Sequence, residues 1–370
     1  MYKCDIMNND RNMESADLIV LVEVEEIPKV TESLIYKYSE VKSIIREIFS
    51  ELTPTNIFYV GCGSSYYAAL KSIDPLIINL PMVKASALPG SEMLFLLDSS
   101  EFKHSIKQNN LLVLFSRSGE TAEIKLITDK AKKLSMRTIG FTCVENSYLA
   151  KNSDHAIVFK DCFEKSYYMT KSFVVLALMG IMNSLAILEM FKLYRGMSIE
   201  DELREFIRIV EDVKSNKSRI RELAEATIDK ELFVILAPRS LYPIALEAAL
   251  KFTEISYTYS NTLYALEFRH GPIALLEKRH RIQLIILSTT NETSFSYISK
   301  LIDELKERGF NILHLSDSNN ADFKLDLKRS SHILHVAFIT PLYYMSIYRA
   351  VMLGYNPDHP KHIEKVIKAI

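Results

Sequence analysis

One segment of the sequence places acidic and basic side chains at a spacing that suits proton transfer. Glu247, Lys251 and Glu254 lie at positions i, i+4 and i+7, so a helix would carry them on one face among apolar neighbours. An ordinary helical Glu–Lys pair, which contributes about 0.3 kcal/mol, explains the first two residues but not Glu254. A carboxyl group in a partly desolvated cleft can have a raised pKa and shuttle protons.

Two loops rich in small and hydroxylated residues follow apolar runs that are typical of strands. Residues 61–65 read GCGSS and residues 116–121 read SRSGET, and each run leads into a helical pattern. The N-terminus of a helix offers free N–H groups that suit a phosphate, although Ser and Thr also cap helices without binding a ligand. Two such loops in one half of the chain favour a phosphate cradle. Their spacing matches neither a dinucleotide fingerprint nor a nucleoside triphosphate loop.

Histidines supply a further candidate. Residues 267–272 read EFRHGP, which places His270 in a turn where it could serve as an acid or base, although a lone histidine is more often structural. Two other close pairs, His332 with His335 and His359 with His362, lack the spacing of a metal site. We expect no metal and no cofactor.

An internal repeat organises the elements that must position these residues. Four strand-like blocks begin at residues 58, 111, 138 and 154, and similar blocks begin at 233, 283, 312 and 331. The offsets are 175, 172, 174 and 177 residues, so the four blocks recur in order and nearly in register. This regularity indicates a duplicated fold.

Each half alternates apolar runs with amphipathic, helix-length segments. Helices are predicted at 64–77, 121–135 and 170–194, and again at 241–257, 293–308 and 340–354, with a leading helix at 31–52 and a charged helical stretch at 199–229. The alternation predicts an α/β protein of two tandem domains, each a doubly wound, flavodoxin-like parallel sheet flanked by helices. Ligands in such sheets lie at the carboxyl ends of the strands. The expected division is 1–34 (N-terminal extension), 35–197, 198–354 and 355–370 (a tail that closes the active site).

Composition excludes several classes of protein. The chain has 370 residues, of which 48% are hydrophobic, and 45 basic against 46 acidic residues give a net charge of −1. This balance gives no electrostatic reason to expect nucleic acid or an anionic membrane as a partner. Residues 172–188 carry no charge but are slightly short of the ~20 needed to span a bilayer, so they are predicted to form a buried core or dimer helix.

The cysteines and the N-terminus bear on the compartment. Cys4, Cys62, Cys143 and Cys162 form no CxxC pair, and this argues against a disulfide framework or a zinc site. Residues 1–30 are acidic and show no export signal. A reducing, cytoplasmic setting is expected.

In combination, the motifs resemble those of the sugar isomerase (SIS) domain family, from about residue 35 to residue 370. The resemblance is greatest to the isomerase half of glucosamine-6-phosphate synthase and to stand-alone glucosamine-6-phosphate deaminases. The motifs that carry it are GCGSS (61–65), SRSGET (116–121), MTKSF (169–173), LEAALKFTEIS (246–256), EFRHGP (267–272) and NPDHPKHIEK (356–365).

The resemblance implies a binding site for the sugar phosphate in the first half. It assigns the phosphate to Ser65, Ser116, Ser118 and Thr121, and further substrate contacts to Gly63, Ser64, Met169 and Lys171. Two residues depart from the synthase pattern: Arg117 replaces a glutamine and could add a charge to the phosphate site, and Met169 replaces a serine that contacts the sugar.

The resemblance also implies catalytic roles. Glu254 would move a proton between C1 and C2 of the sugar, beside the polar helix face formed by Glu247 and Lys251. His270 would open the sugar ring from a second subunit, which implies a homodimer. Lys365 would contact the open-chain sugar and could form an imine with it.

The reaction expected from the resemblance is the deamination of glucosamine 6-phosphate. The synthase needs a glutaminase domain with a cysteine directly after the initiator Met, whereas here about fifty residues precede the first strand and the first cysteine is Cys4. Another phosphosugar isomerase, or a deglycase that splits a 6-phosphorylated fructosamine, is the alternative within the enzyme class. A non-catalytic phosphosugar-binding regulator is disfavoured, because Glu254, His270 and Lys365 are retained and residues 1–50 show no helix-turn-helix pattern.

Overall fold

The computed structural model describes residues 18–105 and 109–369. Within these ranges two five-stranded sheets form, and every pair of neighbouring strands is parallel. The strands are β1 (Asn56–Gly61), β2 (Lys84–Pro89), β3 (Asn110–Phe115), β4 (Arg137–Thr142), β5 (His155–Val158), β6 (Leu232–Ala237), β7 (Tyr259–Tyr264), β8 (Ile282–Leu287), β9 (Ile312–Ser316) and β10 (Phe323–Lys324).

The order of the strands confirms the predicted fold class. The first sheet runs β2-β1-β3-β4-β5 and the second runs β10-β9-β8-β6-β7. If the strands of each half are counted from its own first strand, both sheets have the flavodoxin-like order 2-1-3-4-5. The central strands β3 and β8 are buried along their whole length, because helices cover both faces of each sheet.

Fifteen α-helices surround the sheets in the described part of the chain. They are α1 (Ile19–Glu25), α2 (Ile27–Leu34), α3 (Tyr38–Glu51), α4 (Ser64–Ser72), α5 (Asp74–Asn79), α6 (Gly90–Asp98), α7 (Ser100–Ser105), α8 (Ala122–Lys133), α9 (Tyr148–Asn152), α10 (Lys171–Met190), α11 (Ile199–Ser215), α12 (Lys217–Glu225), α13 (Tyr242–Ser256), α14 (Phe295–Glu307) and α15 (Ile339–Met352). Short 3₁₀ helices occupy Ile35–Lys37, Lys160–Cys162, Arg239–Leu241, Ala265–Arg269, Pro272–Arg281 and Leu334–Phe338.

The sequence located most of these elements, and the errors have physical causes. The strand predicted at 331–336 is wrong, because this buried apolar run forms the 3₁₀ helix Leu334–Phe338, and the fifth strand of the second sheet is β10. Strands β2 and β7 were not predicted, since they border their sheets and are largely exposed or half-buried, without a continuous apolar run. The single helix predicted at 64–77 is divided into α4 and α5 near Pro75.

The N-terminal helices belong to the main hydrophobic core. Helix α1 packs against α15, and α2 packs against α10 and α11. Most apolar side chains of both helices, including those of Val24, Ile27 and Leu34, are buried in a core that both halves of the chain share, whereas Ile19 and Val22 are exposed. Residues 18–34 are therefore integral to the fold, and the remainder of the predicted extension lies outside the described residues.

Helix α10 is the described helix that is long and apolar enough to cross a membrane. However, 89% of its most apolar window is buried inside the protein, where it packs against α3, α4 and α5. The prediction of a core helix at 172–188 is confirmed. Because the burial occurs within one chain, the helix itself does not call for a partner subunit.

The structure corrects the expectation that the cysteines form no disulfide framework, because one pair of them is bonded. Cys143 follows β4 and Cys162 follows the neighbouring strand β5, so their Cα atoms lie 5.9 Å apart although 19 positions separate them in the sequence, and the two are disulfide-bonded. The spacing of the cysteines along the sequence could not show this proximity. With a disulfide present, the cysteines no longer support the expectation of a reducing compartment. Cys62 is a free thiol, and Cys4 lies outside the described residues.

Candidate active site

A cavity of about 200 Å³ lies where the carboxyl edge of the first sheet meets α13 of the second half. Its wall combines both candidate loops, the polar face of α13 and the C-terminal tail. The lining consists of residues 62–65, Arg117, Ser118, Thr121, Glu123, residues 167–169, Lys251, Glu254 and residues 363–367. The structure thus brings together residues that lie as many as 305 positions apart in the sequence, from Cys62 to Ile367.

Helix α13 presents its polar stripe to this cavity through Glu254. The Lys251 ammonium lies 3.5 Å from Glu247 Oε1 and 2.5 Å from Glu254 Oε2, and it donates to Ser64 Oγ at 3.0 Å. Glu247 and Lys251 are fully buried, whereas the Glu254 side chain is 26% exposed and lines the cavity. Lys251 therefore bridges the two carboxyl groups, and the buried pair of Glu247 and Lys251 holds the more exposed carboxylate of Glu254 in place.

Burial governs the titration of the supporting pair. It raises the pKa of Glu247 to about 7, against the opposing charge of Lys251, and Tyr343 donates a hydrogen bond to Glu247 Oε1 at 3.2 Å. Burial alone would lower the pKa of Lys251, but the charges of Glu247 and Glu254 raise it instead. Lys251 is therefore an ammonium at neutral pH, and it fixes the Glu254 carboxylate by a charge-assisted hydrogen bond.

The loop after β3 forms a compact hydroxyl-rich turn. The backbone N–H of Gly119 donates to Ser116 Oγ at 3.0 Å, and Ser116 Oγ lies 3.2 Å from Thr121 Oγ1. Gly119 has φ +66°, and a Cβ there would lie 2.2 Å from Ser147 Oγ, so the turn requires glycine. Ser118 and Thr121 line the cavity, whereas Ser116 holds the turn from behind.

The loop after β1 brings the backbone close to the same space. Gly63 has φ +54° at the start of α4 and has open space around its Cα, as expected for a position that a ligand approaches. Ser65 Oγ lies 3.6 Å from Met169 Sδ, so the methionine fills the place beside this hydroxyl. Ser64 accepts the hydrogen bond from Lys251 and so links the loop to the proposed base.

Arg117 does not add a free charge to the phosphate loop in this structure. Its guanidinium pairs with Glu164 at 3.1 Å and donates to the carbonyl oxygens of Tyr168 (2.7 Å), Tyr167 (3.2 Å) and Lys365 (3.1 Å). Both members of the ion pair are buried. Arg117 therefore connects the segment before α10 with the C-terminal tail.

Residues 363–367 of the C-terminal tail line the cavity, and the predicted role of the tail in closing an active site stays a prediction. Lys365 Nζ donates to the carbonyl oxygens of Glu164 (2.6 Å) and Lys165 (3.0 Å). The carbonyl of Ile367 accepts from the N–H of Ala122 at 3.1 Å and so occupies a donor at the N-terminus of α8. Burial, followed by the charge of Arg117, lowers the pKa of Lys365.

Two residues assigned to the site lie elsewhere in the single chain. Lys171 does not line the cavity, since its amine pairs with Glu26 Oε2 of the N-terminal region at 2.5 Å. His270 is exposed at the end of the 3₁₀ helix Ala265–Arg269 and does not line the cavity either. Its contribution to a second subunit's site stays a prediction.

Sequence reasoning missed two carboxyl groups at the site. Glu164 is fully buried and accepts from the N–H groups of Thr170 (2.6 Å) and Ser172 (3.0 Å), so it satisfies donors at the N-terminus of α10. Glu123 lines the cavity near Cys62, and its Oε2 is buried without a hydrogen-bond partner among the described residues. Burial, with the charge of Glu123, raises the pKa of the Cys62 thiol to about 12. The sequence could have indicated Glu123, because it is an acidic residue in the first turn of the helix that follows the SRSGET loop.

Comparison with known families identifies the fold. The SIS domain family matches residues 95–185 and 228–351, which together make up more than half of the chain. The chain belongs to the SIS domain family. The two matched segments fall in the two halves of the duplicated fold.

Curated relatives of this SIS protein are isomerising aminotransferases. It is 29% identical over 363 residues to a glutamine–fructose-6-phosphate aminotransferase of Thermococcus kodakarensis, covering 94% of this chain and 57% of the relative. It is also 29% identical over 320 residues to a probable enzyme of that name from Acanthamoeba polyphaga mimivirus, covering 84% and 51%. The SIS protein spans about half the length of these relatives.

Solved structures match over nearly their whole length. A glucosamine-6-phosphate deaminase of Thermotoga maritima is 26% identical with a TM-score of 0.75, and the match covers 94% of this SIS protein and 99% of that chain. The C-terminal domain of glucosamine-fructose-6-phosphate aminotransferase from Francisella tularensis is 24% identical with a TM-score of 0.81, covering 94% and 100%. The similarity to the Francisella tularensis domain is evidence for a shared fold and for nothing more.

Proposed function

We propose that this SIS protein is an aldose–ketose isomerase of sugar phosphates whose reaction is the deamination of glucosamine 6-phosphate. The observation that carries the proposal is the position of Glu254. Its carboxylate, fixed by the buried Lys251, lines the same cavity as the hydroxyl-rich loops after β1 and β3. A base and a phosphate cradle that line one small cavity suit proton transfer on an anchored sugar phosphate.

The phosphate end uses neutral donors. Ser65, Ser118 and Thr121 line the cavity at the N-terminal ends of α4 and α8, where hydroxyl and backbone N–H groups favour an anion. The carbonyl of Ile367 lies at the N-terminus of α8 in the closed arrangement. Substrate entry therefore requires the tail to move aside and release this donor.

The proton chemistry then falls to Glu254. It takes the C2 proton of the open-chain amino sugar and gives an enolamine, and the same carboxyl group returns a proton at C1. The resulting imine at C2 is hydrolysed by water to fructose 6-phosphate and ammonia. Lys251 contributes by holding the carboxylate, since its ammonium lies 2.5 Å from Glu254 Oε2.

Lys365 is placed to assist at the reacting end of the sugar. Its lowered pKa makes the neutral, nucleophilic amine more accessible. In the structure the amine donates to two carbonyl oxygens, those of Glu164 and Lys165, so it has to turn before it can contact a substrate. The same opening of the tail that frees the phosphate donors would release it.

Two observations bear on the choice of substrate. The likeness to the Thermotoga maritima deaminase, which spans nearly both whole chains, supports deamination. The contact between Met169 and Ser65 places a thioether in the sugar region, and this favours, as a second candidate, isomerisation of a different phosphosugar or cleavage of a fructosamine 6-phosphate.

We further propose that the active unit is a homodimer in which His270 acts in the partner's cavity. His270 is exposed at the end of the 3₁₀ helix that follows the edge strand β7, together with the exposed side chains of Tyr264 and Leu266. Apolar side chains exposed beside a polar, chemically capable residue suit an interface with a second copy.

The deciding experiment uses purified protein with glucosamine 6-phosphate and follows ammonia and fructose 6-phosphate together. Equal release of both products, absent from the Glu254→Gln variant, supports deamination. Ketose formation from another sugar phosphate without ammonia supports the second candidate. Absence of turnover with every sugar phosphate offered contradicts the enzyme proposal.

A further inference from the structure

A second cavity, of about 420 Å³, lies over the carboxyl edge of the second sheet. Its wall includes Ser240 after β6, Glu292 after β8 and the segment 330–335 ahead of α15. In the repeat, Ser240 is the counterpart of Ser65 and Glu292 is the counterpart of Glu120. This cavity therefore has the position in the second half that the candidate active site has in the first.

The duplication extends to the segments that close each cavity. The candidate active site takes Lys251 from the second half and is covered by the tail that follows α15. Conversely, the second cavity takes Ile78 from the first half and is bordered by residues 193–196, which follow α10. The two cavities are built alike but differ in their chemistry.

The second cavity has no vacant phosphate loop. The loop after β8 is the counterpart of the hydroxyl-rich turn in the first half, and the Asp317 carboxylate occupies its donors. Asp317 accepts from the N–H of Thr290 (2.7 Å) and from Thr290 Oγ1 (2.6 Å), and it also lies within reach of Asn291 Nδ2 (3.3 Å). A phosphate at this loop would meet occupied donors and a like charge, so the ligand of this cavity lacks a phosphate there.

Polar side chains line the second cavity, and three of the lining residues carry an atom that a polar ligand would satisfy if the side chain turned toward it. Ser240 Oγ, His332 Nδ1 and His335 Nδ1 are buried without a hydrogen-bond partner among the described residues, and all three residues line the cavity. Leaving such atoms unsatisfied costs free energy, so a polar ligand that reached them would bind more tightly. Burial, with the charge of Lys71, lowers the pKa of both histidines, that of His332 to about 3, so both rings are neutral and can exchange hydrogen bonds with hydroxyl groups.

The remaining lining defines the charge and shape of the ligand. The carboxylates of Glu202 and Glu292 line the cavity, whereas the arginine of the lining, Arg195, is exposed to solvent. Leu185 and Leu188 of α10 form an apolar wall. A pyranose has hydroxyl groups at its edge and C–H groups on its faces, and an amino group adds a cation for the carboxylates.

We propose that the second cavity binds a hexosamine without a phosphate group, as a site separate from the candidate active site. The proposal depends on the cavity's own residues and not on the reaction proposed above. A sugar bound here would contact both halves of the chain, since Ile78 and Leu185 come from the first half and Ser240 from the second.

Ligand-observed NMR titration of the full chain with free glucosamine tests this proposal. Two cavity-filling variants make a matched pair: Ile78→Trp fills the second cavity at a side chain that is 58% exposed, and Met169→Trp fills the candidate active site. We expect Ile78→Trp to weaken glucosamine binding at least about tenfold and Met169→Trp to change it less than about twofold. Ser240→Val, which removes one unpartnered hydroxyl, should weaken binding about threefold or more, and glucose should bind more weakly than glucosamine.

The opposite pattern, in which Met169→Trp abolishes binding and Ile78→Trp does not, would overturn the proposal, because glucosamine would then occupy the candidate active site. Absence of binding to the unchanged protein at concentrations of tens of millimolar overturns it as well. Turnover of glucosamine 6-phosphate is measured in parallel. Because Ile78 does not line the candidate active site, its variant should retain turnover, so a failure of the proposed reaction remains distinguishable from a failure of the second site.

Discussion

Replacement of Glu254 by glutamine removes the proposed base while it keeps the shape of the side chain. The glutamine oxygen can still accept a hydrogen bond from Lys251, whose ammonium retains Glu247 at 3.5 Å and Ser64 at 3.0 Å. Lys251 therefore keeps one carboxylate partner and one hydroxyl partner. We expect the variant to fold, with a loss of stability of about 1 kcal/mol from the lost charge-assisted bond.

The expected loss of activity is much larger than this loss of stability. A positioned general base contributes typically about 10²–10⁴-fold in rate, which corresponds to roughly 3–5 kcal/mol of transition-state stabilisation. Both kcat and kcat/KM should fall by this factor while KM changes little, because the phosphate loops lie in the first half and remain intact.

The assay compares initial rates of fructose 6-phosphate formation and melting temperatures for three proteins: the unchanged chain, Glu254→Gln and Glu200→Gln. Glu200 is a suitable control because it also pairs with a basic residue on its own helix, Arg204 at 2.7 Å, but lies on the surface. The control should retain full activity. A folded Glu254→Gln protein with more than about one-tenth of the normal turnover would refute the assignment of the base.

Three further outcomes are expected. Ser118→Ala and Thr121→Val should each raise KM for a phosphorylated substrate by about 10–100-fold, because each removes a charge-assisted hydrogen bond of about 1.5–3 kcal/mol, and an equal KM in variant and parent would contradict the cradle. The pKa of Glu247 is raised to about 7 in the folded protein, so the folded state binds more protons than the unfolded state between about pH 4.5 and 7 and stability should decrease as pH rises through this window. Melting temperatures of the parent and Glu247→Gln across this window check the point, and a pH dependence that survives in the variant would exclude Glu247 as its source. Mixed dimers of inactive His270→Ala and inactive Glu254→Gln subunits should regain part of the activity, whereas a fully active monomer in light scattering would contradict shared sites.

The duplicated α/β fold could be predicted because its signal is local and repeated. Strands such as β3 and β8 are buried on both faces, so each appears in the sequence as a continuous apolar run that recurs about 172 positions later. The edge strand β2 has no such run, since its residues are exposed or half-buried. The apolar run at 331–336 shows the converse, because burial without a strand gives the same local pattern.

The contacts between Lys251 and its two carboxylates could be predicted because helical spacing determines which side chains meet. The proximity of Arg117, Glu164 and Lys365 could not, since these residues meet only after two sheet-edge loops and the tail have folded together. The guanidinium was therefore expected at the phosphate, while in the structure a buried carboxylate neutralises it. A resemblance to a family transfers positions, but it does not show which partner a substituted side chain will choose.

The pairing of Arg117 with the carbonyl of Lys365 is compatible with the proposal that the tail both covers the candidate active site and takes part in the reaction. Arg117 pairs with Glu164 and donates to the backbone of Lys365, so it links the tail to the segment around Glu164. The Lys365 amine links the same two segments directly, because it donates to the backbone of Glu164 and Lys165. All of these bonds are made to carbonyl oxygens or to one carboxylate, and none consumes a hydroxyl of the phosphate loops. The proposed opening of the tail would therefore expose Lys365 and an N–H donor of α8, while the turn around Gly119 would keep its own hydrogen bonds. Movement of the tail and preservation of the phosphate loop are compatible because the two depend on different atoms.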